Sequence, residues 1–287
     1  ENGGTPEQWN KLLNEAKEFE TINTTETSAT PKSGKISQAT ALLKIVNTDG
    51  LFHDESGKAY ASVIINGVIK TMPIRGRDYK TLLRRNLYRK EKRNASSQAI
   101  DDALGTVEGQ ALFDGPEYPV SLRVAAGNQS IHIDLGDDHW RSVKITADGW
   151  AIEAQSAIKW RRPSGMRALP IPSVGGDWKQ LFEIMPMSHD KQILVIAWLL
   201  MSLKPNGPYP ILILQGEHGT GKSTLSKLLR GLIDPNKAPI RTIPRSEQDL
   251  VVAAQNGWVI ALDNLSGLQP WLSDGLCRLS TGGGFSA

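Results

Sequence analysis

Apolar and polar positions change their period along this chain, and the changes divide it. Residues 1 to 35 carry one spacing that predicts a short helix, around Trp9 to Phe19. Otherwise they are rich in Thr, Ser, Asn, Glu and Gly, which predicts a flexible lead-in. From 36 to 162, alternating runs mix with helical ones. "ASVIINGVIKTM" holds two β-branched runs joined by Asn66-Gly67, the dipeptide that most favours a tight hairpin. Tyr79, Leu82, Leu83 and Leu87 then recur at helical spacing, and "SSQAIDDALGTVEGQALF" predicts a second helix. "PVSLRVA", "SIHIDLG", "RSVKITA" and "WAIEAQ" follow as short strands, with turns at Gly127-Asn128, Gly136-Asp137 and Asp148-Gly149. The expectation for 36–162 is an α+β module that ends in a β-meander.

"RRPSGMRALPIPSVGGD" concentrates three prolines and three glycines, so a linker is expected at 163–177. Beyond it, over 178–287, helices are predicted at about Trp178 to Met185 and Asp190 to Leu203. Then come an apolar strand "ILILQ", a glycine turn, a helix "KSTLSKLLRGL", a strand "APIRTIP", a helix "SEQDLVVAAQN" and an apolar strand "WVIALDN". Strands apolar throughout, alternating with helices, predict a parallel sheet covered on both faces.

The glycine turn changes the picture from fold to chemistry. Gly216, Glu217, His218, Gly219, Thr220, Gly221, Lys222 and Ser223 satisfy G-x-x-x-x-G-K-[ST], with a strand before and a helix after. Glycines let successive backbone N–H groups close around phosphate oxygens, where side chains would obstruct. The helix start contributes its positive end. Lys222 supplies a point charge for the β and γ phosphates, the Ser223 hydroxyl a ligand for Mg²⁺, and Thr224 completes the ATP-binding stretch. Asp263, at the end of "WVIALDN", is the second expected Mg²⁺ ligand. Asn264 follows; an amide accepts no proton, so it would at most position a water. Glu217 and Glu247 are weaker candidates for a base. The expected class is thus an α/β P-loop NTPase preceded by an α+β domain.

Composition narrows the partners. Hydrophobic residues make up 39% and charged residues 22%, a globular balance. The longest apolar run, "ILVIAWLLMSL", is about half of what a membrane span needs. The single cysteine, Cys277, points to a reducing, cytoplasmic setting. The five histidines show no metal-ligand spacing with each other or with Cys277. Net charge is +3, but "RDYKTLLRRNLYRKEKR" holds eight cations against Asp78 and Glu91. Arg84, Arg85, Arg89, Lys90 and Arg93 are candidate contacts to nucleic-acid phosphates, and Tyr88 could stack on a base. A solvated helix face is the plain alternative. The tryptophans at 140, 150, 160, 178, 198, 258 and 271 lie mostly beside apolar runs and read as core.

Three segments together resemble ATP-binding proteins of phages and other mobile elements, similar to the primase-associated superfamily 3 helicases of the AAA+ class. They are "LPIPSVGGDW", "YPILILQGEHGTGKSTLSKLLRGLIDP" and "RTIPRSEQDLVVAAQNGWVIALDNLSGLQPWLSDGLCRLSTGGG". "GKAYASVIINGV", "IHIDLGDDHWRSVKITADGW" and "IKWRRP" extend the likeness more loosely upstream. The resemblance implies ATP at Gly216 to Thr224, Mg²⁺ at Ser223 and Asp263, DNA as a partner, and a homo-oligomeric ring in the full-length parent. It also implies a sheet of order 5-1-4-3-2, with a sensor asparagine, two more strands and an arginine finger beyond Ala287. The expectation is therefore an AAA+-like sheet that is C-terminally truncated, in a catalytically incomplete fragment. Strands one and three would leave a gap of about 4.8 Å between them. Two further readings stay open: a nucleotide-gated DNA-binding or loader protein without efficient hydrolysis, and a small-molecule kinase.

Overall fold

The computed structural model describes residues 37–265 and 267–282. The lead-in and the helix expected near Trp9 lie outside them. Within them the chain is mixed α/β, with sheets of three, two and four strands.

Helix α1 (Gln38–Leu43) starts where the Ser37 hydroxyl accepts the Thr40 N–H at 3.1 Å. Strands β1 (Leu51–His53), β2 (Ala59–Ile65) and β3 (Val68–Pro73) form an antiparallel sheet. Asn66 and Gly67 take φ of 52° and 78°, so the β2–β3 hairpin turns with both central residues left-handed. Helix α2 (Arg77–Glu91) buries Tyr79, Leu83 and Leu87 and turns its cations outward. Helix α3 (Ser97–Phe113), capped by Ser96, buries Ile100, Ala103, Leu104, Val107 and Ala111. These side chains, with Leu42, Leu51 and Ile74, make the larger core.

The meander follows as expected. Strands β5 (Val124–Gly127), β6 (Ser130–Asp134), β7 (Ser142–Thr146) and β8 (Gly149–Glu153) pair antiparallel in sequence order. Strand β4 (Val120–Ser121), just before them, pairs in parallel with β9 (Lys159–Trp160).

The stretch expected as linker is tied on both sides. Leu169 N–H donates to Leu135 O at 2.8 Å, and Arg167 N–H to Pro235 O at 2.9 Å. Lys237 N–H donates back to Gly165 O at 2.8 Å.

Downstream lie α4 (Gln180–Ile184), α5 (His189–Ser202), α6 (Lys222–Ile233), α7 (Glu247–Gln255) and α8 (Pro270–Thr281). The doubly covered parallel sheet expected here does not form among the described residues. Residues 211–215 and 258–264 enter no ladder; a single parallel bridge joins Arg241 to Leu262. The reason is visible in the side chains. Leu212 and Leu214 pack against Phe182, Val195, Leu225 and Leu229, whereas Ile211 and Ile213 stand 52% and 66% exposed. From 211 to 214 the run is apolar at every position, but every second side chain is exposed and the others are half-buried, so composition alone overstated its burial. Among the described residues no helix is long and apolar enough to cross a membrane.

Candidate nucleotide site

The site grows from the start of α6. Leu225, Leu229 and Ile233 recur every four residues, are buried, and fix that helix's inner face. Its N-cap is Gly221, in the left-handed region at φ 81°, and no side chain caps the first turn. The first N–H groups of a helix have no partner within it, and a glycine cap supplies none. This end therefore presents donors and the positive end of the helix dipole to an anion. Gly219 is also left-handed, at φ 82°, so the loop reverses where only glycine bends without strain. Met185, the residue that follows α4, flanks the turn: a Cβ placed on Gly221 would lie 3.4 Å from its Cε.

Lys222 folds back over this loop. Its ammonium donates to Gly216 O at 2.8 Å and Glu217 O at 2.6 Å. The Thr220 hydroxyl also donates to Glu217 O, at 2.9 Å. Glu217, His218, Thr220 and Thr224 are all exposed.

Ser223 and Asp263 meet. The Ser223 hydroxyl donates to Asp263 Oδ2 at 2.8 Å across 40 positions of sequence. Asp263 is set by the single parallel bridge, since its N–H donates to Arg241 O at 2.9 Å. Its other oxygen accepts the Asn264 N–H at 3.0 Å, and Asn264 sits at φ 59° and is exposed. A hydroxyl and a carboxylate oxygen side by side at a helix start suit a hard divalent cation, whose remaining ligands would be water and phosphate oxygens. Among the described residues no group of three or more His, Cys, Asp or Glu is placed to hold a metal unaided. Glu247 is engaged elsewhere, accepting from Arg278 Nη1 at 2.7 Å.

The five candidate cations of the basic segment lie in the N-terminal module. Arg84, Arg85, Arg89 and Lys90 project from α2 and are exposed, while Arg93 pairs with Glu91 at 2.5 Å.

At the far end of α6 lies a charged cluster that sequence reasoning missed. Just past α6, Asp234 accepts from Arg123 Nε at 3.2 Å, from Trp258 N–H at 2.9 Å and from Val259 N–H at 3.2 Å. Arg230 approaches its other side at 3.8 Å and donates to Ala238 O at 2.8 Å. Burial pulls both guanidinium groups below their ordinary value, against the opposing charge of Asp234. The available signal was Arg123 itself, a cation inside the apolar run "SLRVA".

No curated protein matches the chain. Residues 179–285, which take in α4 to α8, match the family model of the actinomycete integrative conjugative element replication protein, and this similarity supports a role in replication of a mobile element.

Proposed function

We propose that Gly216 to Thr224, with Asp263, form the Mg–ATP site of a P-loop ATPase that acts in DNA replication of a mobile element as a helicase-type AAA+ motor working as a homo-oligomer. The observation that carries this reading is the 2.8 Å contact between Ser223 and Asp263 at an uncapped helix start. Lys222 now directs its donors to two carbonyls beside that start, and a triphosphate there offers it stronger, charged acceptors. The first-turn amides of α6 would hold the phosphates, and Ser223 and Asp263 the cation. Magnesium, when bound, supplies charge neutralisation on the phosphate oxygens. Asn264 would orient water rather than take its proton. The match of 179–285 to a replication protein family supports DNA as the partner.

Calorimetry with Mg–ATP tests the site. The expected result is saturable heat that Lys222→Ala abolishes; no heat from the folded chain at millimolar nucleotide overturns it. DNA-stimulated phosphate release tests the motor. One observation favours a second reading, a nucleotide-gated DNA loader: the residue after Asp263 is an exposed amide rather than a carboxylate. Nucleotide-dependent DNA binding without turnover would select that reading.

A further inference from the structure

A cavity of about 200 Å³ lies in the N-terminal module, walled by β3, Trp140 and the segment 154–160. A water molecule takes about 30 Å³ of liquid, so this volume holds several waters or one planar heterocycle.

Its walls are unusual in three respects. Trp140 adopts φ 56°, a conformation a bulky residue rarely takes and which persists only when its surroundings enforce it. Here they do. The Arg162 guanidinium lies 4.2 Å from the Trp140 ring centre. Arg162 is itself fixed by Asp134, which accepts at 2.8 and 2.5 Å, and by the carbonyl of Asp137. Second, Trp160 adds another indole to the wall. Third, Thr71, Gln155 and Ser156 add polar groups, and Lys159 adds a fixed cation. The Lys159 ammonium donates to the Ser62 hydroxyl at 3.0 Å and stands 5.3 and 5.5 Å from the ring centres of Phe52 and Tyr118.

Aromatic plates, side-chain polar groups and a positive charge are the features that recognise a nucleobase. We propose that this cavity takes a base from a single-stranded nucleic acid. A strand, rather than a free nucleoside, is indicated by the surface around it. Ile69 on the wall is 45% exposed, its cross-strand partner Ile64 is 72% exposed, and Trp150, on the edge strand leading to Ala154, is 43% exposed. Neighbouring bases meet apolar surface there, and the cationic helix α2 begins four residues after β3 ends. The assignment stands apart from the 216–224 loop, because neither the ligand nor its test involves a triphosphate.

The test is fluorescence anisotropy of the full chain, without Mg–ATP, using labelled oligothymidylate and an abasic strand of equal length and charge. The expected result is binding of the base-bearing strand about tenfold tighter than the abasic one. Trp140→Ala should erase that preference and leave abasic binding as it was; Thr71→Val should weaken the preference without disturbing the fold. Equal affinity of the two strands for the unaltered chain overturns the proposal, whatever the variants do. Full base preference in a folded Trp140→Ala protein overturns it too. Competition by thymidine at the same concentration as the oligonucleotide overturns the assignment to a strand.

Discussion

Arg123 Nε stands 3.2 Å from Asp234 Oδ1, and the two side chains, 0% and 4% exposed, join positions 111 apart. This ion pair links the residue just before β5, where the meander opens, to the residue just past α6. Two charges taken out of water need each other and further hydrogen bonds, which the amides of Trp258 and Val259 supply. Asp234→Ala leaves Arg123 buried and uncompensated, and should cost about 3–5 kcal/mol. Denaturant unfolding of the variant against the parent chain reads the loss directly. A change below about 1 kcal/mol would show that water replaces the carboxylate.

Asp137 gives a pH signature. Burial alone would raise its carboxyl, but the Arg141 backbone and side chain, with the charges of Arg141 and Arg162, hold it below its ordinary 3.8. A carboxylate depressed in the folded state contributes stability that is present above 3.8 and lost as pH falls through the folded value. Asp137→Asn should therefore flatten the decline of stability in acid below that value and lower stability at neutral pH. Thermal melts across the acid range check both parts.

At the loop, Gly221→Ala separates backbone from charge. The new Cβ would face strain at φ 81° and press on Met185 Cε at 3.4 Å, which should cost about 1–2 kcal/mol locally. The expected effect is weaker Mg–ATP binding with a global melt lowered by only a few degrees. Asp263→Asn should instead leave metal-free nucleotide binding nearly intact while magnesium's contribution falls, as calorimetry with and without Mg²⁺ would show.

Arg84, Arg85 and Arg89 are exposed and make no ion pair with an acidic residue among those described. Reversing all three to glutamate should alter stability by little, since exposed sites away from special features change it by about ±0.5 kcal/mol each. Binding to single-stranded DNA should weaken, and the salt slope should fall by about 0.7 for each phosphate that is no longer neutralised. An unchanged slope would return α2 to the role of a solvated face.

Local chemistry was legible in the sequence, and distant pairing was not. Asn66-Gly67 dictates its own turn, because few other residues accept φ of 52° and 78°. The spacing of Leu225, Leu229 and Ile233 likewise fixes the inner face of α6 without help from elsewhere. The 211–215 run looked doubly buried because burial of a strand depends on what neighbours it, and its letters carry no trace of the exposed Ile213. The strap from Gly165 to Leu169 was hidden behind prolines and glycines that suit a linker equally well. Trp140 read as core because strain at a backbone angle leaves no mark in composition. Ser223 and Asp263 were each named from their own motif, and their 2.8 Å approach depends on the bridge at Arg241.

Helix α6 carries Lys222 at one end and Arg230 near the other, with Asp234 one residue past its close. Its 12 residues span about 18 Å as a stiff rod. The rod that starts at the glycine turn is thus moored at its far end to the N-terminal module through one buried ion pair.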